Sequence, residues 1–296
     1  MNRLRHGAVL IVIAFAFSAA CLAADPSTKI VLLGTGTPRP NPDRAGPATA
    51  IVVGDRAYLV DFGPGVVRRA AAAAQDTPAL DPTKIAVAFV THLHSDHTVG
   101  YPDLIFTPWV MGRTELNVYG PEGIEEMTTH VLAAWRRDIE IRTQGMEHRR
   151  ALVVHAHDVK PGVIYKDDKV TVTVFLVPHG QWPQAFGYRF DTPGRSIVIS
   201  GDTSPSPELM AHCQPCDVLI HEAFSPSVTV AMPDWPAYSA KYHTTTVQLA
   251  EIANRTKPGL LIVYHTSGRT PDDQLLKEIQ KTYQGKVVIG RDLEIY

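Results

Sequence analysis

The stretch His92-Leu93-His94-Ser95-Asp96-His97 spells H-x-H-x-D-H at the end of an apolar run, Ile85 to Val90. The run reads as a buried strand. Residues two apart in an extended segment point the same way, so His92 and His94 can present two imidazoles to one metal. Asp96 and His97 follow where the chain must turn, within reach of a second metal beside the first. Imidazole and carboxylate donors without thiolate suit zinc or a similar divalent ion. Three histidines and an aspartate in six residues, in a chain with 13 His among 296 residues, set this segment apart from an ordinary polar loop.

Upstream, Arg3 and Arg5 precede an apolar stretch from Ala8 to Phe17 and small residues up to Ala24. This is the pattern of a secretory signal peptide over residues 1–24, followed by one domain over residues 25–296. The apolar stretch is short, so no membrane span is expected once the leader is removed. Cys21 would be a lipidation site, but Ser18 stands where an aliphatic residue is required, and a lipoprotein is not expected. The location read from this pattern is periplasmic or secreted. Removing 24 of 296 residues leaves 272 with 26 basic and 30 acidic side chains, since Arg3 and Arg5 leave too. That length suits a single large core. A net acidic chain has no bulk field to gather nucleic acid. Cys213 and Cys216 lie close enough in sequence to form a short-loop disulfide.

Apolar runs recur along the chain as expected strands: Lys29 to Leu33, Ala48 to Val53, Ala57 to Val60, Ala151 to Val154, Lys169 to Val177, Phe186 to Phe190, Ser196 to Ser200, Val218 to Ile220, Leu260 to Tyr264 and Val287 to Ile289. Helices are expected at Val66 to Gln75, Gly123 to Arg137, Thr245 to Asn254 and Pro271 to Gln280. Helices between strands in both halves indicate an α/β domain with sheets covered by helices. Gly34-Thr35-Gly36 follows a strand, but Pro38 and Pro40 stand where a dinucleotide-binding helix would begin, so it reads as a tight turn. Ligand-type residues close several later strands: His179, Asp202, His221 with Glu222, and His265. Tryptophans and arginines in the segment from Pro102 to Arg150 make it a candidate pocket wall.

With these residues in view, the sequence resembles the metallo-β-lactamase superfamily, and within it the branch of ribonuclease Z and the arylsulfatase-like hydrolases. The resemblance covers residues 29–296. It rests on Gly34-Thr35-Gly36, Asp61-Phe62-Gly63, the H-x-H-x-D-H run, Tyr119-Gly120-Pro121, His179 followed by Gly187-Tyr188-Arg189, Gly201-Asp202-Thr203, His221-Glu222-Ala223, His243-Thr244-Thr245 and His265. It implies a single-domain, four-layer αββα sandwich with two zinc ions at one edge. Carried over, His92, His94 and His179 hold the first ion, Asp96, His97 and His265 the second, and Asp202 bridges them. His243 and Glu222 become the remaining catalytic pair, with Asp96 counted beside them. The alternative for His243 is a plain cap on the helix near Thr245. Asp61 is expected to fix a ligand histidine rather than bind metal. His155-Ala156-His157-Asp158 repeats half the metal motif, lacks its last histidine and reads as a surface strand.

In ribonuclease Z proper, a long arm that grips tRNA lies between the G-Y-R segment and the G-D-T loop. Here only Phe190 to Ser200 separate Arg189 from Gly201. The short connection, the leader and the acidic balance together give this reading: an exported dizinc hydrolase of a small ester, whether sulfate ester or phosphodiester, acting through a bridging hydroxide, with no nucleic-acid partner. A homodimer is compatible with it. The alternatives are a ribonuclease Z-like phosphodiesterase acting on RNA and a non-catalytic metal-binding protein.

Overall fold

A computed structural model describes residues 28–144, 151–227 and 234–296. The proposed leader, residues 1–24, lies outside the described residues. Six strands form the first sheet in sequence order: β1 Thr28–Gly34, β2 Ala48–Val53, β3 Arg56–Val60, β4 Val87–Phe89, β5 Glu115–Gly120 and β6 Val153–Asp158. Helices α1 Val66–Ala73, α2 Ser95–Thr98, α3 Tyr101–Val110, α4 Ile124–Ala134 and α5 Arg136–Gln144 fall within this half of the chain. The second sheet carries β7 Gly162–Lys166, β8 Thr171–Leu176, β9 Phe186–Thr192, β10 Arg195–Ile199, β11 Val218–Glu222, β12 Leu260–Tyr264 and β13 Val287–Ile289, also in sequence order across the sheet. Its helices are α6 Pro207–His212, α7 Trp235–Tyr242, α8 Thr246–Thr256 and α9 Asp272–Gln280.

Three apolar clusters separate four layers. Val31 and Leu33 of β1 pack with α1 and α3 residues such as Val66, Ala70 and Leu104. Ile30 and Leu32, on the other face of the same strand, pack against Val172, Tyr188, Ile199 and Ile262 of the second sheet. A third cluster joins Val198, Leu219 and Leu261 to Leu209, Leu249 and Ile279 of the outer helices. A strand buried on both faces needs apolar residues at every position, which is why these strands read as unbroken runs. The expected αββα sandwich is the observed fold.

Phe89 sits at the centre of the inter-sheet layer, with ring centroids 5.4–5.9 Å from Tyr119, Tyr165, Tyr188 and Phe190. At the end of the sandwich where β3 and β8 begin, Asp167 joins the two sheets. Its Oδ2 accepts from Tyr58 Oη at 2.6 Å, Tyr165 Oη at 3.0 Å and Arg56 Nη1 at 3.1 Å. Its Oδ1 accepts from the backbone N–H of Lys169 and Val170. Thr192 and Arg195 pair directly in β9 and β10, so Pro193 and Gly194 alone turn the chain there. Cys213 and Cys216 are joined to each other. No helix among the described residues is long and apolar enough to cross a membrane.

One expectation needs correction. The described part of residues 102–150 does not wall the pocket at the metal motif. It folds into α3, β5, α4 and α5 on the first sheet, and Trp109 is fully buried in the core beneath them. Trp135 and Met111 stay exposed on the outer surface, away from that cavity.

Candidate metal centre

The side chains that carry the site follow strand ends along one edge. β3 and β4 run parallel, as do β10, β11 and β12, so their C-terminal ends gather there. Asp61 follows β3, His92 to His97 follow β4, and His179 follows β8. Asp202 follows β10, Glu222 ends β11 and His265 follows β12. Loops beyond the carboxyl ends of strands are where such sheets place their sites. Gly201 is required just before Asp202: its φ is +62°, and a Cβ there would lie 2.8 Å from the Phe186 carbonyl oxygen. Asp61 and His265 also hold left-handed backbones, with φ of 61° and 51°. Such conformations cost about 1–3 kcal/mol in a non-glycine residue and concentrate at functional sites.

The sequence-predicted residues come together as donor groups. His92, His94 and His179 form one; Asp96, His97 and His265 form another; Asp202 joins His92 and His97 in a third, with donor atoms within 4.8 Å of one another in each. Asp202 also joins His179 and His243 in a fourth. His221, His155 and His157 enter no donor group among the described residues. His157 instead stacks on Tyr119, with centroids 4.6 Å apart on β6 and β5.

Hydrogen bonds at the back of each ring decide which nitrogen faces inward. Asp61 Oδ2 accepts from His97 Nδ1 at 2.9 Å. Thr91 Oγ1 donates to Asp61 and lies 3.0 Å from His92 Nδ1, whose proton it can accept. His179 Nδ1 donates to the Tyr242 carbonyl at 2.7 Å. In all three rings Nε2 is left for a cation. His94 is turned the other way: its Nδ1 lies 2.9 Å from His92 Nε2 and 3.2 Å from His179 Nε2, while Trp182 Nε1 donates to its Nε2.

The donors fit a divalent ion on a further observation. His97 Nε2 and Asp202 Oδ1 are buried and lie 3.4 Å apart, and neither has a well-formed hydrogen bond among the described residues. Buried polar atoms left without partners are costly, and a cation between them removes that cost. Protonation states agree for part of the set. Burial pushes His92 well below the ordinary imidazole range and His179 down to about 4, which keeps both neutral as ligands must be. For His97, burial acts in the same direction but is outweighed by the charges of Asp61 and Asp202, which hold it high. Asp202 is pressed well below the carboxylate range: burial opposes this, and His265 and His97 overcome it.

His243 stands beside the donors. Its Nδ1 donates to both oxygens of Glu222, at 2.9 and 3.0 Å, and lies 3.9 Å from Asp202 Oδ2. Burial would lower its pKa, but the Glu222 carboxylate, aided by Asp202 and Asp96, raises it to about 9. Glu222 is buried, and its Oε1 also accepts from the Thr203 backbone N–H at 2.8 Å. A cavity of about 400 Å³ opens onto Asp96, Asp202, Glu222, His243 and His265. The capping reading of His243 does not hold, because Thr245 caps α8 through Gln248 in a capping box. Sequence reasoning did not anticipate Thr91, Trp182 or the Tyr242 carbonyl. A hydroxyl just before His92 was the only visible signal; the other two come from distant segments.

Paired sheets with outer helices, and imidazole and carboxylate donors from both sheets at one edge, define a metal-dependent hydrolase of the metallo-β-lactamase kind. The chain belongs to that superfamily: the family described as a beta-lactamase superfamily domain matches residues 56–266. A ribonuclease Z of Mycobacterium bovis (strain BCG / Pasteur 1173P2) is 31% identical over 277 residues, covering 90% of this chain and 96% of that protein. The metallo-beta-lactamase fold protein YhfI from Bacillus subtilis superposes with a TM-score of 0.72 at 20% identity, covering 92% of this chain and 100% of that one. The short form of human tRNase Z superposes with a TM-score of 0.67 at 22% identity, covering 90% and 98%.

These relatives correct two expectations. The small-ester substrate, and the exclusion of nucleic acid as a partner, give way because the related proteins are named for RNA. Net charge misled here because it sums the whole surface, whereas a polyanion meets the local field at a cleft. Arg39 and Arg269 both line this one.

Proposed function

We propose that this chain is a metal-dependent phosphodiesterase that hydrolyses RNA. The observation that carries the reading is its similarity to a ribonuclease Z across 96% of that protein's length. The donor groups gathered at one edge support it. We assign His92, His94 and His179 to one zinc ion, Asp96, His97 and His265 to a second, and Asp202 to both. Two such ions would lower the pKa of a shared water and neutralise charge developing on the phosphoryl oxygens.

The chain's own groups account for the rest. Asp61, Thr91 and the Tyr242 carbonyl fix three ligand rings, so little reorganisation is needed when substrate arrives. Glu222 holds His243 by Nδ1, which leaves Nε2 as the proton-donating atom. That carboxylate favours the protonated imidazole, from which His243 can hand a proton to the leaving ribose oxygen. No nucleophilic side chain is needed.

The test is zinc-loaded protein incubated with a 3′-extended RNA hairpin and, separately, with a small aryl phosphodiester. Cleavage of the RNA, with chain products identified by mass, is expected. Turnover of the diester with the RNA left intact would overturn the reading.

Export is a separate proposal, supported by Arg3, Arg5 and the apolar stretch after them. The mature chain would begin near Asp25, in the periplasm or outside the cell. N-terminal sequencing from the native host checks it, and an intact Met1 on the soluble protein would refute it.

A further inference from the structure

A second cavity, about 840 Å³, shares Thr37, Pro38, Arg39, Ser95 and Asp96 with the metal cavity and runs on from it toward α1. Four arginines line it: Arg39, Arg44, Arg68 and Arg69. Asp96, a proposed metal ligand, is the sole carboxylate on its walls among the described residues. Two of the arginines are committed to the fold. Arg44 Nη2 donates to both oxygens of Asp272 at 2.9 Å, and Arg69 Nε lies 3.3 Å from Asp292. The other two are available. Arg39 is exposed at the junction of the cavities and has no ion pair among the described residues. Arg68, 83% exposed, pairs among the described residues with Asp103 alone, at 3.3 Å across the surface, a contact that contributes little.

A groove that continues the reaction cavity, with basic walls and two uncommitted guanidinium groups, has the chemistry to hold a strand of phosphates. The opposite possibility, an element reaching out from the β9–β10 connection to hold substrate at a distance, is closed off by the two-residue turn at Pro193 and Gly194. We infer that this groove seats the RNA backbone adjoining the scissile phosphate, with Arg39 on a phosphate next to the reacting one and Arg68 on one further along. The inference rests on the proposed RNA hydrolysis and adds where the strand lies.

The experiment measures binding of a fluorescein-labelled 3′-extended RNA hairpin to zinc-loaded protein by anisotropy across a range of salt concentrations. Cleavage of the same RNA and of a small aryl phosphodiester is followed in parallel. The Arg39→Gln, Arg68→Gln double variant should reduce the slope of log affinity against log salt by about 1.5 to 2. It should lower kcat/KM far more for RNA than for the diester, which is too short to enter the groove. Arg136→Gln, away from the groove lining, should leave the slope at the wild-type value. Wild-type protein that cleaves RNA, with a double variant retaining its salt slope and its RNA-to-diester ratio, would overturn the groove and leave the RNA reading standing. Wild-type protein that neither binds nor cleaves RNA would overturn both.

Discussion

Asp61 Oδ2 lies 2.9 Å from His97 Nδ1, with both side chains buried, so the carboxylate sets the tautomer of an imidazole proposed to bind metal. The same carboxylate accepts from Thr91, whose hydroxyl stands against His92 Nδ1. One acid thus orients two rings. Asp61→Asn keeps the size of the side chain but can turn an N–H toward the ring. Zinc affinity, measured by chelator competition, should fall roughly 10–100-fold. Wild-type affinity in this variant would show that the ring needs no such support.

Asp202 stands in two of the four donor groups, and its Oδ1 is one of the orphaned buried atoms. Asp202→Ala should lose most bound metal, read by elemental analysis after gel filtration. Full metal content in the purified variant would remove Asp202 from the bridging position.

His243 is proposed as a proton donor and not as a ligand. His243→Ala should keep the metal while turnover drops roughly 10²–10⁴-fold. The loss should be greatest for substrates whose leaving oxygen is poor, and smaller for nitrophenyl diesters that need no protonation. Glu222→Gln should follow the same trend more weakly, because it acts through the imidazole. Equal losses across leaving groups would assign His243 to charge stabilisation instead.

Far from the site, Asp167 predicts an acid limb of stability. Burial would raise its pKa, but bonds from Tyr58, Lys169, Val170 and Tyr165 outweigh that and lower it from 3.8 to about 2. A depressed folded pKa stabilises above the ordinary value, and that contribution disappears as pH falls through the folded one. The wild type should therefore lose about 2 kcal/mol between pH 4 and pH 2 that Asp167→Asn never had. Urea unfolding at several pH values checks this; parallel curves for the two proteins would contradict it.

Much of this was legible in the residues. Strands buried on both faces announce themselves as apolar runs, and β2, β12 and β13 lie where the sequence put them. The clustering of four of the donors was legible because H-x-H-x-D-H encodes its own geometry, one strand end and one turn. β5 and β7 were not: Glu115–Gly120 and Gly162–Lys166 mix polar and apolar residues, and β7, at a sheet edge, leaves Val163 exposed. The supporting contacts were hidden too. The Tyr242 carbonyl reaches His179 across 63 residues, and no local pattern carries that. The substrate was misjudged from a whole-chain charge and from the short β9–β10 connection, neither of which reports on the arginines that meet in one groove.

The provenance of the donors has a consequence beyond chemistry. His92, His94, Asp96 and His97 belong to the first half of the sandwich, and His179, Asp202 and His265 to the second. Ions held between them would work as a rivet at one rim, while Asp167, with Arg56 and Tyr58, fastens the other. A ligand that binds only the closed form adds its binding free energy to folding. In a metal-starved cell the two halves would still be glued by the aromatic layer around Phe89, yet would part more often at the unriveted rim. Proteases sample such openings. The lifetime of this protein would then track the metal supply of the compartment it inhabits.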